Sequence, residues 1–183
     1  MVELQSVDVS RIHAAFLEAF ADYAMGSPAG LTEERLLLRM RKNAVDYDLS
    51  VGAYEDGRMV GFTLIGVDRW GGRCVAYDAG TGIVPAYRGR GLARRMFERA
   101  LPALAERGVE EFVLEVLQEN APAIQAYRKT GFETARELRS FVAPTTALVD
   151  THPTTWTLRP IGPTQFERVA EEIDWLPSFE DYA

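Results

Sequence analysis

Ala79-Gly80-Thr81-Gly82-Ile83-Val84-Pro85-Ala86-Tyr87-Arg88-Gly89-Arg90-Gly91-Leu92-Ala93-Arg94-Arg95-Met96 reads as a strand that enters a glycine-broken turn and leaves it as a helix. The strand half belongs to the apolar run from Cys74 to Val84, bounded by Gly71-Gly72 and Pro85. Gly80 and Gly82 inside it predict a bulge, or another group lying close against the backbone. Past Arg88 the period changes. Leu92, Ala93, Met96, Phe97, Ala100, Leu101 and Leu104 recur at the three-and-four spacing of a helix with one buried face. Between the two, Arg88-Gly89-Arg90-Gly91 lets successive N–H groups converge at a helix start, where an anion is stabilised. Arg88, Arg90, Arg94 and Arg95 surround that point with charge suited to phosphate oxygens. A polyphosphate ligand follows as the expectation.

The stretch lacks the Gly-Lys-Ser/Thr ending of a Walker loop and the third small residue of a dinucleotide fingerprint. Arg88-Gly89-Arg90-Gly91-Leu92-Ala93 instead resembles the Gln/Arg-x-x-Gly-x-Gly/Ala loop of the GNAT superfamily of N-acetyltransferases. The resemblance implies that this loop holds the pyrophosphate of acetyl-CoA as cosubstrate. It also implies that backbone N–H groups near Ile83 and Val84 bind the pantetheine and the thioester carbonyl.

Outside the loop, 183 residues with 47% apolar side chains suffice for one compact domain and some surplus. The longest apolar runs fall short of membrane-spanning length, and Met1-Val2-Glu3-Leu4 does not read as a signal peptide, so a cytoplasmic protein without membrane association is expected. A single Cys74 forbids an internal disulfide, and with only His13 and His152 beside it no metal-ligand cluster is expected. Cys74 reads as a small buried hydrophobe, and His13 as a residue on the wet face of a helix. The formal charge of −7 disfavours broad nucleic-acid binding and favours a cationic substrate.

Taken in order, Leu4 to Val7 reads as a strand, and Ser10 as the cap of a helix burying Ile12, Ala15, Phe16, Ala19 and Phe20. Thr32 opens a second helix, with Glu33 and Glu34 in its first turn. Strands at Leu49–Tyr54 and Met59–Val67 join through Asp56-Gly57, a strong hairpin signal. Pro102 predicts a kink or early break in the helix after the loop. Glu110 to Leu117 reads as a strand that is apolar except for Glu115. Asn120 caps a short helix with Pro122 in its first turn and Gly131 at its end, and Phe132 to Val142 reads as a further strand.

This order predicts an α/β fold, and it is similar to the GNAT layout from about residue 2 to 142. The resemblance implies a mixed, mostly antiparallel central sheet, splayed between its fourth and fifth strands and flanked by helices. A second signature supports it. Asn120, Ala123, Tyr127 and Gly131-Phe132 resemble the family's Asn-x-x-Ala-x-x-x-Tyr-x-x-x-Gly-Phe, with the spacing kept and only neighbouring identities varied. In the family the matching Asn also contacts the cofactor.

Acetyl transfer from a thioester to an amine needs an unprotonated nucleophile, a stabilised oxyanion and a proton for the departing thiolate. Glu115 interrupts an apolar strand, and burial there would raise its proton affinity. The twelve-residue spacing from Glu115 to Tyr127 resembles that of enzymes acetylating protein N-termini, in which the matching Glu is base and the matching Tyr is acid. Asp78, on the glycine-bearing strand, is a rival base. The expectation is therefore an acetyl-CoA-dependent transferase acting on a primary amine, small molecule or peptide, as a monomer or homodimer. A cofactor-binding sensor without turnover and a nucleic-acid binder built on the arginine cluster stand as alternatives, the latter disfavoured by the acidic total.

The chain also shows a weak internal echo. An offset of 154 aligns Leu4 with Leu158, Val7 with Ile161, Ser10 with Thr164 and Ile12 with Phe166. The expected organisation is a GNAT domain at 1–143, a linker at 144–155, and at 156–183 either a last strand and helix or the start of a second unit.

Overall fold

The structure, a computed structural model, describes residues 2–22, 30–70 and 72–139, with residues 144, 160 and 162. One compact unit holds the chain up to Glu133, and Thr134–Leu176 forms a second, whose described residues carry no regular structure. The linker and the appended strand and helix expected beyond residue 143 lie outside the described residues, apart from 144, 160 and 162.

The first unit runs β1 (Glu3–Ser6), α1 (Val9–Ala19), α2 (Glu33–Lys42), β2 (Val51–Glu55), β3 (Arg58–Trp70), β4 (Arg73–Ile83), a 3-10 turn (Pro85–Tyr87), α3 (Leu92–Glu106), β5 (Glu111–Val113) and α4 (Ala121–Lys129). The strands form one sheet in the order β1-β2-β3-β4-β5. Pairings are antiparallel up to β4, and β4 with β5 is parallel. The β2–β3 hairpin closes on Asp56 and Gly57 at φ of 50° and 73°, a turn whose two positive φ values match the twist of the arms.

Helices cover both faces of the sheet. Ile12, Ala15, Phe16 and Ala19 of α1 and Leu36 and Met40 of α2 pack on Phe62, Leu64, Tyr77 and Ala79. On the other face Leu92, Met96, Ala100 and Leu104 of α3 pack on Val60, Ile65 and Ala76. The middle of β3 is accordingly buried without alternation, as a strand sandwiched by helices must be. Gly82 allows the first of these contacts. A Cβ on it would lie 2.6 Å from Phe62 Cζ and 3.0 Å from Ala19 Cβ, so the group that comes close to this strand is α1 and its aromatic neighbour.

Several expectations need correction. α1 is capped by Asp8, whose carboxylate accepts from the Ser10 N–H at 3.1 Å and the Ser10 hydroxyl at 2.7 Å, so Ser10 supports the cap and does not form it. His13 is half-buried, with Nε2 2.8 Å from the Leu31 carbonyl. Pro102 does not break α3. It lies on the exposed face, where the carbonyl one turn back can turn to water. The strand expected at Glu110–Leu117 shrinks to Glu111–Val113, because β4 offers a ladder only from Val75 to Tyr77. Of the strand expected at Phe132–Val142, residues 132–139 carry no regular structure, and the rest lies outside the described residues.

Candidate functional site

The site is organised by the place where β4 and β5 part. Their register ends at Tyr77 opposite Val113, while β4 continues to Ile83 along β3 alone. Along that free length the antiparallel ladder alternates. Val84 N–H donates to the Val60 carbonyl at 3.0 Å, so the N–H of Ile83, one residue earlier, points to the open side. Of the two amides expected to meet a thioester, Ile83 therefore presents its N–H, and Val84 has its own committed to the sheet.

At the mouth of this fork stands Asp78, only 7% exposed. Its orientation comes from a bulge. The β3–β4 register steps from Leu64 opposite Gly80 to Ile65 opposite Asp78, which leaves Ala79 without an opposite number. In a regular strand residues 78 and 81 would face opposite sides, and the extra residue restores them to one side. Thr81 Oγ1 thus lies 2.8 Å from Asp78 Oδ2, and the Gly80 N–H donates to Oδ1 at 3.0 Å. From α4, the Tyr127 hydroxyl reaches Oδ2 at 3.5 Å. Burial pushes the Asp78 carboxyl up to about 6, against the pull of the donors Thr81, Gly80 and Tyr127.

Tyr127 is held by its ring. Phe97 lies at 6.0 Å and Phe132 at 5.9 Å between centroids, the latter edge-on, and Phe112 closes the cluster against both phenylalanines. These contacts give Gly131-Phe132 a physical role in aiming the tyrosine. α4 has no fully buried residue, so the aromatic cluster is a principal tie to the sheet side. Asn120 caps α4, its Oδ1 accepting from the Ala123 N–H at 3.3 Å. Glu115 lies two residues beyond β5 and is exposed, so the burial expected of it falls on Asp78 instead.

The loop is built as the glycine spacing predicts. Gly89 and Gly91 take φ of 74° and 70°, and a Cβ on either would have nothing within 4 Å. The left-handed backbone favours glycine there, and the space beside it is open. Gly91 precedes α3 without any side-chain cap, so the first N–H groups of the helix, from Leu92 and Ala93 onward, meet no protein side chain as a cap. The Leu92 side chain itself is core, which leaves its backbone as the part available to a ligand.

The arginines divide. Arg88 is committed to the fold: it donates to both Asp22 carboxylate oxygens at 2.7 and 2.8 Å, to the Ala19 carbonyl at 2.8 Å and to the Ile83 carbonyl at 3.2 Å. The pair draws the Asp22 carboxyl below its usual range. Arg88 is therefore a strut from the loop to the end of α1, and its side chain does not line the open space as the sequence suggested. Arg90 lies over the Tyr87 ring, 4.8 Å from its centroid, and donates to the Ala86 carbonyl at 2.9 Å. Arg94 pairs with Glu98 one turn on, at 2.7 Å. Among the described residues no group of three or more His, Cys, Asp or Glu could hold a metal ion, and no helix is long and apolar enough to cross a membrane.

A family model for the acetyltransferase (GNAT) family matches residues 13–132. The chain belongs to this family. Among GNAT relatives, it is 38% identical over 84 residues to the streptothricin acetyltransferase of Streptomyces lavendulae, across 46% of this chain and 42% of that protein. It is 42% identical over 84 residues to the mycothiol acetyltransferase of Saccharomonospora viridis, across 43% of this chain and 28% of that protein. The match thus spans less than half the length of these curated relatives. The GNAT fold itself recurs in AAC(6')-Iy, solved in complex with the bisubstrate analog CoA-S-monomethyl-acetylneamine. The TM-score is 0.57 at 18% identity, over 79% of this chain and 99% of that one.

The structure puts Gly89 and Gly91 in the loop before α3, Asn120 at the cap of α4 and Tyr127 within α4, as the sequence predicts. The sequence named Asp78 only as a rival, and it missed Thr63, Thr81 and the Arg88–Asp22 strut. Two threonines facing each other across a hairpin are a usable signal, but only once the register is known.

Proposed function

We propose that this chain is an acetyl-CoA-dependent N-acetyltransferase acting on a primary amine, either a small molecule or a peptide N-terminus. The observation that carries the reading is the meeting of Asp78 and Tyr127 at the point where β4 leaves β5, on the strand that leads through the 3-10 turn and the glycine loop to the start of α3, which has no side-chain cap. The N–H groups at Gly89, Arg90, Gly91, Leu92 and Ala93 would receive the pyrophosphate, with Arg90 adding charge, and Asn120 would contact the cosubstrate from the start of α4. Ile83 N–H would donate to the thioester carbonyl and to the oxyanion that replaces it.

In the transfer the amine nitrogen bonds to the thioester carbon, and the C–S bond then breaks. Asp78 takes the proton that nitrogen gives up, and Tyr127 gives its phenolic proton to the thiolate. Their contact lets the proton held by Asp78 restore Tyr127. Glu115, exposed two residues beyond β5, is the other candidate carboxylate. Asp78 is preferred for its burial, its raised proton affinity and its contact with the acid. The acceptor reading draws on the relatives, a streptothricin acetyltransferase and a mycothiol acetyltransferase, and on the neamine moiety of the analog bound in the solved neighbour.

The test is a panel of amines and peptides incubated with acetyl-CoA, reading free thiol and acetylated product by mass. Amine-dependent thiol release is expected. A thermal shift with acetyl-CoA and no amide from any acceptor would assign binding without turnover.

A further inference from the structure

The mechanism leaves two hydroxyls unused. Thr63 and Thr81 stand directly opposite each other in the β3–β4 register, with their Oγ1 atoms 2.8 Å apart. Thr63 is completely buried, at 0% exposure. Valine has nearly the same shape and a stronger claim on such a position, because a buried hydroxyl is costly unless bonded. Here each hydroxyl is bonded, and the chain they form ends on Asp78 Oδ2, 2.8 Å from Thr81 Oγ1.

Thr81 owns one hydroxyl hydrogen. When Asp78 is ionised its oxygens can only accept, so that hydrogen goes to Oδ2, and Thr63 completes the chain by donating its own hydrogen to Thr81. The bulge at Ala79 is what brings Thr81 to the same side as Asp78. The groups acting on the carboxylate are the Gly80 N–H and the Thr81 hydroxyl from β4 and the Tyr127 hydroxyl from α4, with Thr63 of β3 acting through Thr81. Phe97 of α3, which packs on the Tyr127 ring, and Val113 of β5, opposite Tyr77, carry no charge.

We propose that Thr81, seconded by Thr63, is a positioning residue that fixes the Asp78 carboxylate as the proton acceptor of the transfer. This rests on the reading of Asp78 under Proposed function. A donor aimed at one oxygen favours the ionised form and keeps the other oxygen directed by Gly80, so the pair controls both where the proton lands and the pH at which it is taken.

The test uses the full chain labelled with carbon-13 at aspartate carboxyls, with the Asp78 signal assigned by its loss in Asp78→Asn. Its titration is followed alongside the pH profile of kcat/KM. Thr81→Val should move the Asp78 midpoint up by about one pH unit and cut kcat/KM near pH 6 by about fivefold, with recovery at higher pH. Thr81→Ser should restore both, and Thr63→Val should move both in the same direction by less. An unmoved midpoint in Thr81→Val, or in Thr63→Val should the first not fold, overturns the positioning role whatever the rate does. A midpoint that moves while the rate profile stays fixed shows that Asp78 is tuned but is not the acceptor, and overturns the proposal at the function it rests on.

Discussion

A carboxylic acid buried between two helical layers is held neutral unless donors favour its anion, and Asp78 sits at that balance, with burial ahead. Tyr127 is one of its donors and, on the proposed mechanism, the acid for the thiolate. Tyr127→Phe should therefore lower kcat by roughly 100- to 10,000-fold, the span of general-acid assistance, while the Kd for acetyl-CoA changes little. Stopped-flow turnover and calorimetric cofactor binding separate the two quantities. A fall in cofactor affinity matching the fall in rate would place the hydroxyl on the cosubstrate instead. The ring remains in the variant, so the contacts with Phe97 and Phe132 persist and the fold should not change.

Among the elements, α3 and the loop before it carry the most specific expectation. Arg88 anchors one side of the loop to Asp22 and to the end of α1, and Tyr87 anchors the other by donating to Glu55 at 2.7 Å. The loop is thus pre-set before any ligand arrives, with Gly89 at positive φ facing open space. Gly89→Glu should abolish the rise in Tm that acetyl-CoA produces, because it puts a negative charge where the pyrophosphate would lie. Gly89→Asn, which tolerates the left-handed region and carries no charge, should retain part of it. If Gly89→Glu folds and still shows the parent's shift, the phosphate does not sit at this loop.

For the whole molecule, the proton on Asp78 links function to stability. Its folded pKa, about 6, stands above the ordinary carboxylate value of 3.8, so between those pH values the folded chain holds a proton that the unfolded chain has lost. Stability from this group is full below pH 4 and falls as pH rises through 6, by about 3 kcal/mol at ~1.4 kcal/mol per pH unit. Asp78→Asn keeps the shape and removes the titration, and it should raise Tm at pH 8 more than at pH 5 while lowering turnover. Thermal melts at the two pH values decide it: an equal effect at both would mean that the burial of Asp78 imposes no charge cost. The ion pairs on the surface, such as Arg58 with Glu18 and Arg107 with Asp46, are exposed enough that little of the stability rests on them.

What the sequence determined by itself was everything written in local period and turn chemistry. The Asp56-Gly57 hairpin, the helical face from Leu92 to Leu104, the glycines at 89 and 91, and the capped helix from Asn120 to Gly131 are each specified by neighbours within a few residues. The order of those elements was enough to point to the GNAT family. Only the tertiary structure decided which carboxylate is buried, because that depends on where β5 stops pairing and on the bulge at Ala79, which reverses the facing of every residue after it. It likewise decided that Arg88 braces α1 and that Val84 N–H belongs to the sheet. A side chain's partner across a sheet is fixed by register, and register is a property of two strands together, so no reading of one strand alone contains it.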